Sequence, residues 1–147
     1  MNPPQFPRWL GLAGLLPQAA AVAVVIGPDS SLHFSALAMG YAYAALILSF
    51  LGGLWWGVAA SHHAPPEWLW VAAITPSLLA LATALPWATG EPWPGPSLIV
   101  LGLSLIAALG VDWLLARRGL VPPWWMRLRI PLSLGLGTLT ILLGIAG

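Results

Sequence analysis

Long apolar runs broken by short polar turns organise this chain. A bilayer core about 30 Å thick needs about 20 apolar helical residues at about 1.5 Å each. Five runs meet that requirement and predict spans over Trp9–Ile26, Phe34–Ala59, Glu67–Ala88, Pro96–Ala116 and Arg129–Gly147. The connectors hold the residues that stop helices, among them Gly27-Pro28-Asp29, Ala64-Pro65-Pro66 and Gly90-Glu91-Pro92-Trp93-Pro94-Gly95. The fold class expected is an all-α integral membrane protein, a five-helix bundle forming a single transmembrane domain across residues 1–147. The first run is long enough to span, and no small-x-small cleavage site precedes the next polar turn. It is therefore expected as a retained span and not as a signal peptide.

Composition narrows the chemistry. The 147 residues are 59% hydrophobic and 6% charged, whereas a soluble domain of this size carries roughly a quarter of its residues as charges. The absence of cysteine removes disulfides, thiolate metal sites and cysteine nucleophiles. A net charge of +1 gives no basic surface broad enough for nucleic acid, so membrane lipid is the expected partner.

Charge placement sets orientation, because loops on the cytoplasmic side retain Lys and Arg. With the N-terminus inside, Arg8, Arg117, Arg118, Arg127 and Arg129 all fall on the inner side and no Lys or Arg lies outside. The expected topology is N-terminus cytoplasmic and C-terminus outside. Indole favours the headgroup layer, and Trp9, Trp55, Trp56, Trp68, Trp70, Trp113, Trp124 and Trp125 fall towards the inner face, with Trp87 and Trp93 towards the outer.

Polar groups at membrane depth are costly and mark packing seams or sites. Gln18, Ser49, Thr75, Ser77 and Asp112 lie inside the predicted spans. Pro17 and Pro76 are expected to kink the first and third spans at similar depth, since proline removes a helical hydrogen bond. Asp112 has only Ala108, Leu109, Leu115 and Ala116 at helical neighbour positions, so its partner must come from another segment. Arg129, at the start of the antiparallel fifth span, is the expected partner, with Arg127 interfacial. Gly53 and Gly57, with Gly52 on the same span, form a small-xxx-small pattern suited to close helix packing. The same pattern suits a homodimer or a larger membrane complex.

His62, His63 and Glu67 resemble metal ligands in composition, but Pro65 and Pro66 break the helix that would present them together, so no metal site is expected. No Ser/His/Asp grouping or phosphate loop is present in the sequence, so an enzyme is the less favoured reading and no catalytic residue is assigned.

Several stretches carry a family resemblance. Leu10-Gly11-Leu12-Ala13-Gly14-Leu15-Leu16-Pro17, the run Ser49-Phe50-Leu51-Gly52-Gly53 with Trp56-Gly57, Thr75-Pro76-Ser77-Leu78, and Pro123-Trp124-Trp125-Met126-Arg127-Leu128-Arg129 resemble the small five-span membrane protein family of unknown function that includes transmembrane protein 69. That resemblance covers nearly the whole chain. It implies a bacterial inner-membrane location with mitochondrial relatives, and it brings no activity, cofactor or catalytic residue.

The site expected from the residues is a cavity or seam lined by Gln18, Ser49, Trp56, Thr75, Ser77, Asp112 and Arg129, holding a lipid or other hydrophobic small molecule, or assisting a membrane complex. Two alternatives stay open. One is a small-solute transporter with a kinked-helix site near Pro17, Pro76 and Asp112; the other is a lipid-acting membrane enzyme with Asp112 and His63 as proton carriers.

Overall fold

The computed structural model describes residues 1–92 and 94–147; the expectation for Trp93 lies outside the described residues. The elements are α1 (Gln5–Ala13), α2 (Leu16–Ile26), α3 (His33–Ala60), α4 (Glu67–Ala88), α5 (Gly95–Arg117) and α6 (Trp125–Ala146). Among the described residues five helical segments are long and apolar enough to cross a membrane, α1 and α2 together making the first. The protein is a multi-pass membrane protein, and its outer surface carries large apolar side chains such as Phe34, Leu46, Phe50, Leu81 and Ile145.

The first span differs from expectation. The helix breaks at Gly14–Leu15, and Pro17 falls in the first turn of α2. A proline in the first turn removes only an N–H that had no helical partner, so Pro17 starts a helix where a mid-helix kink was expected. Pro76 lies inside α4, which continues through it. The last span begins at Trp125, one turn before the expected Arg129, so Arg129 is already inside the helix.

The centre of the bundle is α3, which packs against α2, α4, α5 and α6. Its buried stripe is Leu37, Gly40, Tyr41, Ala44, Leu48, Leu51, Gly52, Trp55 and Ala59, recurring at three- and four-residue spacing. The closest pairing is α5 with α6, and glycine explains it. A Cβ on Gly102 would lie 2.7 Å from the Gly137 carbonyl oxygen, and one on Gly137 would lie 2.8 Å from the Gly102 carbonyl oxygen. Two turns further along α6, a Cβ on Gly144 would lie 2.8 Å from the Gly95 carbonyl oxygen. Each helix thus presents glycines seven residues apart, and the two backbones touch.

The small-residue pattern on α3 is used only in part. Gly52 faces the Ala73 carbonyl of α4, whereas Gly53 and Gly57 have no atom within 4 Å of an added Cβ. Within the chain the expected packing role falls to Gly52 alone, and Gly53 and Gly57 meet no neighbouring helix. Residues 52 and 53 are about 100° apart on a helix, so one faces α4 and the other faces outward. Substituting Gly52 by Ala is expected to lower stability by on the order of 1–3 kcal/mol through overpacking. Gly57→Ala should leave it unchanged or raise it by up to about 1 kcal/mol through helix propensity. Thermal unfolding of the two variants in detergent checks the contrast, and equal losses would refute it.

The loops are locally determined. After α4 and α5 the chain turns at Gly90 (φ 111°) and Gly119 (φ 67°), each closing a helix end in the left-handed conformation that glycine adopts without a Cβ clash. Between the first span and α3, the Ser31 hydroxyl and the Ser31 backbone N–H hold the exposed Asp29 carboxyl below its ordinary range.

Candidate functional site

Asp112 is fully enclosed, at 0% exposure, on the stripe of α5 that also buries Leu101, Leu105, Ala108 and Leu115. Its carboxylate receives donors from two other helices. Arg129 Nε of α6 donates to Oδ2 at 2.9 Å, while Trp55 Nε1 of α3 and Trp125 Nε1 of α6 each donate to Oδ1 at 3.1 Å. Arg129 also donates through Nη2 to Ser133 Oγ at 2.6 Å, one turn along α6. A buried carboxylate in a low-dielectric bundle is tolerated when it is paired and its oxygens are hydrogen-bonded, and here both oxygens are occupied. Arg127, two residues earlier, is exposed and donates to Asn2 Oδ1 at 2.9 Å.

A second polar junction ties α2 to α3 and α6. Gln18, fully enclosed on α2, donates through Nε2 to the Gly40 carbonyl of α3 at 3.1 Å and to Thr140 Oγ1 of α6 at 2.9 Å. Three helices are joined there by one amide. Among the described residues, Gln18 Oε1 is the one enclosed side-chain polar atom without a partner.

The residues expected to share one cavity are distributed over separate places. Ser49, Trp56 and Ser77 line a shallow groove of about 340 Å³ between α3 and α4 on the outer surface, beside Gly52 and Gly53. Thr75 lines a different crevice of about 330 Å³ with Trp55, Pro76 and Ser104, and its hydroxyl donates to the Val71 carbonyl at 2.8 Å. Gln18 belongs to the second polar junction. Asp112 and Arg129 are together, on a different side of α3 from Trp56. The common reason is helical geometry: neighbouring residues on a uniformly apolar helix point about 100° apart, and polar residues at one depth need not share a face.

Two residues were missed as site members. Trp55 and not Trp56 meets Asp112, and Trp125 is a buried donor where an interfacial anchor was expected. The signal for Trp55 was available. It continues the stripe of small residues Gly40, Ala44 and Gly52 on α3, whereas Trp56 lies with Gly53 and Phe50 on the lipid side. Trp56 is instead 48% exposed and packs edge-on against Trp70, with ring centroids 4.7 Å apart. Indoles at this end also lie under exposed arginines: Arg117 lies 4.8 Å over Trp113 and Arg118 lies 5.6 Å over Trp68.

One cavity reaches the ion pair. A cleft of about 290 Å³ lies between α1, α3 and α6, lined by apolar residues including Leu10, Gly14, Ile47, Phe50, Leu132 and Leu136, with Arg129 and Ser133 also in its wall. It exists because α1 departs from the bundle. No residue of α1 is buried, and α1 packs on α6 while α2 packs on both α3 and α6. The break at Gly14 is pinned by Tyr43, whose hydroxyl donates to the Gly14 carbonyl. The cleft's rim residues Leu10 and Phe50 are 59% and 63% exposed, so its mouth faces lipid.

No group of three or more His, Asp or Glu side chains placed to hold a metal is found among the described residues. His62 lies just past the end of α3, with Nδ1 2.8 Å from the Val58 carbonyl.

Residues 3–145 match the family described as "Protein of unknown function (DUF3429)". The chain is also similar to transmembrane protein 69 of Xenopus tropicalis, at 34% identity over 129 residues, which is 85% of this chain and 48% of that protein. It thus spans about half the length of that relative. No solved structure matches it. With a match running from Pro3 to Ile145, the chain belongs to the DUF3429 family.

Proposed function

We propose that this protein is a non-enzymatic membrane component that holds a lipid or other hydrophobic small molecule in the cleft between α1, α3 and α6. The observation carrying this reading is the combination of an apolar, lipid-facing mouth with a buried guanidinium in the wall. Ligand sites are mostly apolar concavities with a few placed polar groups, and about 290 Å³ lies just below their usual range of about 300–1,000 Å³. The arginine count supports an orientation with the N-terminus cytoplasmic, and the family resemblance implies the bacterial inner membrane. A transport or proton-relay role would require Asp112 to meet water or solute, and its complete enclosure by three donors speaks for a structural pairing instead.

Native mass spectrometry of gently purified protein tests the reading. The wild type should retain a lipid-sized or smaller adduct, and Ile47→Trp, which fills the cleft, should lose it. An adduct of equal occupancy in both proteins would refute the assignment to this cleft.

A further inference from the structure

The charges beside the cleft restrict what its occupant can be. Arg129 is only 7% exposed, and its Nε and Nη2 are used by Asp112 and Ser133. Nη1 makes no hydrogen bond among the described residues, yet it is not among the enclosed unpartnered atoms, a condition met only by Gln18 Oε1. Nη1 is therefore open, and the space that Arg129 lines is the cleft. A donor with N–H groups to spare thus borders a mainly apolar chamber, whose other polar side chains are Ser133, bonded to Arg129, and Tyr43, bonded to the Gly14 carbonyl.

The charge of that donor is already balanced. Asp112 lies 2.9 Å from Arg129 inside the same low-dielectric region, so the pair is neutral as a unit. Bringing a carboxylate or phosphate into the cleft would leave one net negative charge buried, a state that desolvation strongly disfavours. A neutral acceptor carries no such penalty and still satisfies the open N–H groups. The complementary head is therefore a carbonyl oxygen without formal charge.

Depth identifies the carbonyl. Arg129 is the fifth residue of α6, roughly 6 Å along the axis from Trp125. Exposed Arg117, Arg118 and Arg127 sit at the same end, with Trp113 marking the interface. The polar layer of a bilayer is on the order of 5–8 Å thick on each side. Arg129 is then at the inner edge of that layer, where glycerol esters join headgroups to acyl chains. The mouth between Leu10 and Phe50 opens sideways to the acyl region. The chamber's volume suits a segment of one chain and not a whole lipid.

We infer that the cleft takes one acyl chain of a neutral or zwitterionic glycerol ester, its ester carbonyl accepting a hydrogen bond from Arg129 Nη1. This rests on the reading of the cleft as a binding site and adds the ligand's chemical class. Arg129 here is a binding residue whose charge is set by Asp112, so the two side chains act together as a neutral donor.

The test compares three probes of equal chain length by native mass spectrometry titration in detergent: monoolein, its glycerol ether analogue without the carbonyl, and oleate at pH 8. Monoolein should bind roughly tenfold or more tightly than the ether, as one hydrogen bond to a charged group allows, and more tightly than oleate. In Arg129→Lys, whose one nitrogen is drawn to Asp112 and leaves no second nitrogen to face the cleft, the ester-over-ether preference should fall to within about twofold while the unfolding temperature shows that the bundle persists. Should that variant fail to fold, the double variant Asp112→Leu/Arg129→Met, which removes both charges together, serves instead and should likewise lose the preference; a preference kept in it would overturn the assignment to Arg129. Equal binding of ester and ether would overturn the carbonyl assignment while leaving a binding cleft. Tighter binding of oleate would overturn the neutral-head assignment. Binding of all three that Ile47→Trp does not weaken would overturn both this inference and the reading on which it rests.

Discussion

Replacing Asp112 by alanine is expected to destabilise the bundle by about 3–5 kcal/mol, the cost of stranding a buried partner charge. Three donors lose their acceptor at once: Arg129 Nε, Trp55 Nε1 and Trp125 Nε1. The stripe of Leu101, Leu105 and Ala108 offers them no side-chain acceptor, and Ser133 Oγ is already engaged by Arg129 Nη2. Asp112→Asn should cost less, because an amide oxygen still accepts from the indoles. The most informative comparison is with the double variant Asp112→Leu/Arg129→Met. Removing both charges together leaves no uncompensated ion, so its loss should be clearly smaller than the sum of the two single losses. Denaturant or thermal unfolding in detergent measures the single and double variants alike. A single Asp112→Ala loss within about 1 kcal/mol of wild type would show that the pair contributes little, against the range expected for a broken buried pair.

Gly137→Leu is expected to be at least as damaging, for a steric reason. Even a Cβ at this position meets the Gly102 carbonyl oxygen at 2.8 Å and Ile106 Cγ1 at 2.5 Å, and Gly102 faces Gly137 in the same way. A flexible isoleucine can move, but a helix backbone can yield only by separating α5 from α6. That separation also lengthens the Asp112–Arg129 contact, because both residues sit on this helix pair. Overpacking costs on the order of 1–3 kcal/mol, and more where backbone must shift. Gly137→Leu should therefore fail to yield folded protein, while Gly110→Leu on the same hairpin, where an added Cβ meets no atom within 4 Å, should purify normally. Size-exclusion profiles and protease resistance distinguish the two. A well-folded Gly137→Leu would mean that the two helices are not held at backbone contact.

Much of the architecture was legible because lipid imposes a length on every apolar run, and the runs in this sequence are cleanly separated. The partner of Asp112 was also legible, since helical spacing left it no acid–base neighbour in its own span and only a handful of arginines exist. Facing was not legible to the same degree. Where a helix is apolar all round, hydrophobic periodicity no longer says which side is inward, so Trp55 and Trp56 could not be told apart on hydropathy. Small residues carried that information instead. Gly40, Ala44 and Gly52 point the way to Trp55, and the seven-residue spacing of Gly95 with Gly102 and of Gly137 with Gly144 marks the α5/α6 seam. The four-residue spacing of Gly53 and Gly57 drew attention to a face that is open. The cleft depends on α1 diverging from the bundle ahead of Gly14, a tertiary divergence with no local sequence period.

The three-helix junction at Asp112 also has an order in time. Translation delivers α3 with Trp55 first, then α5 with the carboxylate, and last α6 with Trp125 and Arg129. When the fourth span leaves the ribosome it carries an acid into an apolar environment, and one of its three eventual donors is already waiting. Its counter-charge follows only 17 residues later. A nascent chain arrested between Asp112 and Arg129 should thus hold its fourth span insecurely, and release of the fifth should secure it. The final hairpin is in this sense self-locking during biosynthesis.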